Sequence, residues 1–99
     1  MLKKYVVAFD QGTTSTRTII FDEKGTIKVI AQKELTQHYP KSGWVEHNPL
    51  KIYEDQLETF EKALSDSGIH AREIAAIGIT NQRETTVVWD RDTGEPIYN

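Results

Sequence analysis

Apolar positions along this chain follow two periods, one of strands and one of a helix. Residues 5–9 (Tyr-Val-Val-Ala-Phe) are a continuous apolar run, the pattern of a central strand covered on both faces. A second run ends in Ile19, Ile20 and Phe21, preceded by the β-branched Thr16 and Thr18. In a third segment, 26–35, Ile27 and Val29 alternate against Lys28. Asp22-Glu23-Lys24-Gly25 reads as the turn between the second and third segments, which predicts an antiparallel meander of three strands.

The period then changes. Leu50, Tyr53, Leu57, Phe60 and Leu64 recur at helical spacing, which predicts a helix with this row as its buried face. Asn48 suits its N-cap, Pro49 its first position and Gly68 its stop. Glu54, Glu58, Glu61 and Lys62 read as its solvated side. Residues 37–48 carry Pro, Gly and Ser and read as a long connection. Residues 74–79 (Ile-Ala-Ala-Ile-Gly-Ile) form a second buried run, expected to lie parallel to the first strand because a helical crossover precedes it. A last strand is expected over 85–89, turned by Asp90-Arg91-Asp92-Thr93-Gly94. Trp44 and Trp89 read as packing anchors. There is no internal repeat.

Composition narrows the classes. Ninety-nine residues make one domain at most, and 37% hydrophobic residues leave little apolar material for a core. A net charge of −3 without a basic stripe argues against a nucleic-acid partner. With no cysteine there is neither a disulfide framework nor a thiolate metal site, which fits a cytoplasmic protein. His38, His47 and His70 are too scattered to suggest a metal site. The opening Met-Leu-Lys-Lys and its apolar run are cut short by Asp10, so no signal peptide or membrane-spanning segment is read here.

The candidate chemistry lies in Asp10-Gln11-Gly12-Thr13-Thr14-Ser15-Thr16-Arg17. Gly12 permits unusual dihedrals and close approach, so amides can point at phosphate oxygens while Thr13, Thr14 and Ser15 add hydroxyl donors. Asp10 can hold magnesium directly or through its waters, and Arg17 can answer phosphate charge. The octet matches neither G-x-x-x-x-G-K-[ST] nor G-x-G-x-x-G, and a strand rather than a helix follows it. Two readings are open on these residues alone: a phosphate-binding hairpin, or an ordinary turn between strands.

Four motifs in order extend the pattern: Asp10 to Ser15, then Gly43-Trp44-Val45-Glu46-His47, then Ile77-Gly78-Ile79-Thr80-Asn81-Gln82-Arg83-Glu84-Thr85-Thr86, and Thr93-Gly94-Glu95-Pro96-Ile97-Tyr98-Asn99. Together they resemble the glycerol kinases, within the sugar kinases of the actin and Hsp70 superfamily. The resemblance runs from about Tyr5 to the last residue, with Asn48 standing where that family usually has aspartate. It implies an α/β fold, the ribonuclease H-like (actin-like ATPase) N-terminal domain, of which residues 1–99 form the first part. The rest of that domain and a second domain would be absent.

The implied activity is ATP-dependent phosphorylation of glycerol to glycerol 3-phosphate, with ATP and Mg2+ required. By resemblance Asp10 sits near magnesium and the γ-phosphate; Gly12, Thr13, Thr14 and Ser15 meet nucleotide phosphates, and Arg17 meets ADP. Thr13, Arg83 and Glu84 meet the polyol. The catalytic base would lie downstream, outside this chain, so the chain alone is expected to be inactive; a homo-oligomeric parent is also implied. The residues support the substrate reading on their own, because a triol needs donors and acceptors together and Arg83 with Glu84 supplies both. Neighbours on a strand face opposite ways, so the pair can serve one ligand only if the backbone leaves the ladder near 81–84. The alternatives are a surface Arg-Glu pair, a kinase for another polyol or sugar, and a nucleotide-gated clamp in the manner of actin or Hsp70.

Overall fold

The computed structural model describes residues 3–83 and 85–99. Strands β1 (Tyr5–Gln11), β2 (Ser15–Phe21) and β3 (Ile27–Glu34) form the expected antiparallel meander. Helix α1 (Pro49–Ser67) crosses over, and β4 (Ile74–Thr80) returns parallel to β1, giving one mixed sheet in the order β3-β2-β1-β4. A short hairpin, β5 (Val88–Trp89) with β6 (Pro96–Tyr98), makes a separate two-stranded sheet. No helix among the described residues is long and apolar enough to cross a membrane.

Local chemistry accounts for the element ends. Asn48 Oδ1 accepts the amides of Leu50 and Lys51 at 3.0 and 3.4 Å, and Pro49 opens the helix where its missing donor costs nothing. Gly68 ends it at φ 72°, a left-handed conformation that a Cβ would strain. At the β2–β3 turn, Asp22 Oδ1 accepts the Lys24 and Thr26 amides, both at 2.9 Å.

The helix buries a different stripe from the one its apolar spacing predicts. Asp55, Thr59 and Ala63 are buried; of the predicted row, Phe60 and Leu64 pack half-buried against the core, whereas Leu50, Tyr53 and Leu57 are exposed. The reason lies in the facing strand, whose sheltered positions are Thr16, Thr18 and Ile20. Two of those three carry hydroxyls, and buried hydroxyls need partners. Thr18 Oγ1 lies 2.8 Å from Thr59 Oγ1, and Gln56 Nε2 donates to Thr18 Oγ1 at 2.9 Å and to the Arg17 carbonyl at 3.0 Å. Lys33 and Lys51 converge on Oδ1 of the buried Asp55 at 3.2 and 3.1 Å. The apolar core is small: Val7, Ile20, Ala31, Ala63 and Ile69, flanked by Phe9 and Phe60 with ring centroids 5.4 Å apart, edge to face.

Three further expectations fail. The first run, read as covered on both faces, is open on at least one, since Val6 is exposed; along β4 every residue after Ile74 is exposed, the uncovered face expected of the 74–79 run when the rest of its domain is missing. The last strand covers only Val88–Trp89 rather than 85–89, with the Asp90–Gly94 turn closed by Gly94 N–H to the Asp90 carbonyl at 2.7 Å. Trp44 and Trp89 are exposed rather than anchored, because no second layer lies over their segments; the Lys41 ammonium sits 4.6 Å from the centre of the Trp44 ring.

Candidate functional site

Strands β1 and β2 are joined by the three residues Gly12, Thr13 and Thr14. The turn closes through Gly12 N–H to the Ser15 carbonyl at 3.0 Å, and Leu35 N–H donates to the Thr14 carbonyl at 2.8 Å. Gly12 does not adopt a positive φ, so the expectation of unusual dihedrals is not met. What excludes a side chain is proximity, since a Cβ there would lie 3.2 Å from the Ser15 carbonyl oxygen. Its own amide is committed within the turn. Among the described residues, no protein group bonds the amides of Thr13 and Thr14 or the hydroxyls of Thr13, Thr14 and Ser15, and both threonines are exposed. These five donors are what the hairpin has to offer an anion.

Asp10 and Thr80 are partners at the carboxyl ends of the parallel pair β1 and β4, the edge where open α/β sheets keep ligands. Thr80 Oγ1 donates to Asp10 Oδ1 at 3.0 Å, while Arg17, the cross-strand partner of Asp10 on β2, forms an ion pair with Oδ2. No cluster of three metal-ligating side chains exists among the described residues. A single half-buried carboxylate fits a magnesium carried in on phosphates, which keeps most of its waters, and does not fit a resident metal cage.

β4 ends at Thr80, and the chain leaves the ladder at residues 81–83, as a shared role for Arg83 and Glu84 requires. Glu84 itself lies outside the described residues. Arg83 lines a cavity of about 330 Å³ together with Thr13, Gln37, His47, Gln82 and Thr85. The fold therefore brings Thr13 and Arg83 to one cavity, although they are far apart in sequence. Thr14 and Ser15 open instead onto a neighbouring groove with Gln32, Glu34 and Gln37. Asp10 and Arg17 contribute to the lining of neither.

Three residues of this cavity were given no role from the sequence, although His47 and Gln82 stand in two of the four motifs. Gln37 Nε2 donates to the Thr13 carbonyl at 2.7 Å, Gln37 Oε1 lies 2.9 Å from His47 Nε2, and His47 Nδ1 is bonded by Gln82 Nε2. Burial holds the His47 pKa below the ordinary histidine value, with a smaller contribution from His38. Gln82 Oε1 is buried without a partner among the described residues. The only other sign in the sequence was the density of polar groups in 46–48 beside a helix start, which reads equally well as capping.

Residues 5–99 match the FGGY family of carbohydrate kinases, N-terminal domain. The chain belongs to the FGGY family. It is 63% identical over 99 residues to a glycerol kinase of Francisella philomiragia, all of this chain against 20% of that protein. Among solved structures it is similar to Plasmodium falciparum glycerol kinase with ADP, at 33% identity and TM-score 0.83, over 96% of this chain and 19% of that one. It is also similar to gluconate kinase from Lactobacillus acidophilus, at 26% identity and TM-score 0.86, over 97% of this chain and 19% of that one. The chain thus spans about a fifth of the length of the relatives it matches. Within the FGGY fold, that of sugar kinases with an actin-like ATPase architecture, it is a mixed sheet with one helix.

Proposed function

We propose that this chain is the phosphate-binding and part of the polyol-binding portion of a glycerol kinase, which transfers the γ-phosphoryl group of ATP to a terminal hydroxyl of glycerol. One observation carries the reading: Thr13, on the hairpin, and Arg83, after β4, wall the same cavity. The 63% identity to a glycerol kinase, against 26% to a gluconate kinase, favours glycerol over other acceptors. The sheet is read as the opening of a ribonuclease H-like domain, the first of two in a cytoplasmic enzyme.

In this reading the amides of Thr13 and Thr14 and the hydroxyls of Thr13, Thr14 and Ser15 receive the nucleotide phosphates. Arg17 leaves Asp10 for phosphate, freeing that carboxylate to hold magnesium through its waters. Magnesium, when bound, neutralises charge on the phosphates. Arg83 and Glu84 clasp the glycerol hydroxyls so that one oxygen points at the γ-phosphorus. A bond forms from that oxygen to phosphorus, the bond to the β,γ-bridging oxygen breaks, ADP departs, and the hydroxyl proton passes to a base outside residues 1–99. Alignment is the chain's contribution, and alignment is most of what phosphoryl transfer asks.

The test is a chimera in which this chain replaces the matching fifth of the Francisella philomiragia enzyme. ATP-dependent formation of glycerol 3-phosphate, with gluconate and pentuloses left untouched, is expected. A folded chimera that prefers gluconate or a pentulose would shift the reading to another sugar kinase. ATP binding without any acceptor would shift it to the nucleotide clamp.

A further inference from the structure

The cavity between the hairpin and the end of β4 is crossed by a hydrogen-bonded chain whose direction is dictated from one end. The Thr13 and Leu35 carbonyls can only accept, so the Gln37 amide must turn its Nε2 toward them, at 2.7 and 3.2 Å. That leaves Gln37 Oε1 facing His47 Nε2 at 2.9 Å, which must therefore carry the ring proton. A neutral ring then accepts at Nδ1, and Gln82 must present its NH2 group there, as it does. Every donor and acceptor role from Thr13 to Gln82 follows from the first carbonyl. The far end is the residue beside Arg83, and the near end is the hairpin itself.

We propose that His47 is a positioning residue, holding the phosphate hairpin and the Gln82–Arg83 segment at a fixed separation through Gln37 and Gln82. This rests on the glycerol kinase reading. Its consequence is that the donor phosphate and the acceptor hydroxyl keep their distance without His47 touching either. The ring is competent only when neutral. An imidazolium would set its Nδ1–H against the Gln82 NH2 group and break the chain until that amide turned over. Burial, and less strongly His38, which is bridged to Glu46, lowers the pKa of the ring and so favours its neutral form. Glu46, Arg83 and the terminal carboxylate of Asn99 line the same cavity and are the other charged groups around the ring among the described residues.

Two experiments decide it. In the 99-residue chain, nitrogen-15 shifts of the His47 ring at pH 7.5 are expected to show a bare Nδ1 and a protonated Nε2; the opposite tautomer overturns the relay whatever the kinase does. In the chimera, His47→Leu is expected to lower kcat at least about ten-fold, because misplacement of reacting groups by about 1 Å can cost about a hundred-fold. The KM values for ATP and glycerol should move less than three-fold. His47→Gln offers one donor and one acceptor without titrating, so it is expected to restore most of kcat and to remove the loss of activity on the acid side of pH 6.5. A folded His47→Leu chimera within two-fold of the parent kcat overturns the proposal. So does a His47→Gln chimera as impaired as His47→Leu, or one with an unchanged acid limb. An unmutated chimera inert toward glycerol fails the glycerol reading instead, and the tautomer then decides the relay alone.

Discussion

Ile20 and Ile79 lie on the same face of one sheet, two strands apart, yet Ile20 is completely buried and Ile79 is 74% exposed. The difference is the helix. α1 packs mainly over β2 and β3, where Ile20 meets Ala31 and Ala63, and leaves β4 after Ile74 uncovered. Beyond it Phe9, Tyr53, Leu57 and Ile79 line an open apolar groove. Under the helix, the β2–β3 half is a finished core closed by the Thr18–Thr59 hydroxyl pair and the buried Asp55 carboxylate. The β1–β4 half carries the edge proposed for the ligands and an uncovered flank. An apolar run thus specifies a strand, but only a neighbouring layer makes it a core.

The sharpest way to break the comparison is to ask the chain to work alone. If the β1–β4 half is unfinished, the 99-residue chain should show no magnesium- and ATP-dependent glycerol phosphorylation in a coupled ADP-release assay, and sedimentation should show self-association through the exposed flank. A cooperative monomer that turned over glycerol would overturn it.

The hairpin is the next largest lever. Gly12→Val in the chimera should cost at least about 100-fold in kcat/KM, because even a Cβ there crowds the Ser15 carbonyl. Circular dichroism should remain that of the parent; full activity in a folded variant would remove the hairpin from the site.

The isoleucine pair tests the two halves directly. In chemical denaturation of the chain, Ile20→Ala should lose about 2–5 kcal/mol through its transfer and cavity costs. At dilutions where the chain is monomeric, Ile79→Ala should stay within about 0.5 kcal/mol, as exposed positions do. Equal losses would mean that the flank is covered in solution.

Glu84→Ala in the chimera should cost about 2 kcal/mol in glycerol kcat/KM, by leaving a hydroxyl and a guanidinium unmatched, with little change in the KM for ATP. Equal losses for both substrates would point to a disturbed lobe.

The smallest effect concerns the β2–β3 turn. The Thr26 amide above all holds Asp22 below its ordinary value of 3.8; desolvation opposes it, and the Lys24 amide and the charges of Lys28 and Lys24 add to the lowering. A carboxylate lowered on folding adds stability above its unfolded pKa and loses it as pH falls through the folded one. Asp22→Asn should therefore lower the neutral plateau slightly and flatten the acid end of the melting-temperature profile, below about pH 4, where parent and variant converge. A variant with the same acid slope as the parent would show that the turn plays no part in it.

The meander, the helix with both caps, the parallel return of β4 and the departure from the ladder after Thr80 were all written in local pattern: β-branched runs, Asp-x-x-Gly, Asn-Pro and a terminal Gly. So was the hairpin as a cluster of donors. Tertiary structure alone decided which helix stripe is buried, because the buried Thr18 takes its polar partners, Thr59 and Gln56, from the helix, which no hydrophobic count reveals. It alone decided that Trp44 and Trp89 lie in the open, and that Gly12 is required by a carbonyl rather than by its φ. The meeting of Thr13 with Arg83, and the Gln37–His47–Gln82 chain between them, depends on segments far apart in sequence. Spacing along a chain encodes which way a residue faces within its own element; what it faces is set by the packing of the others.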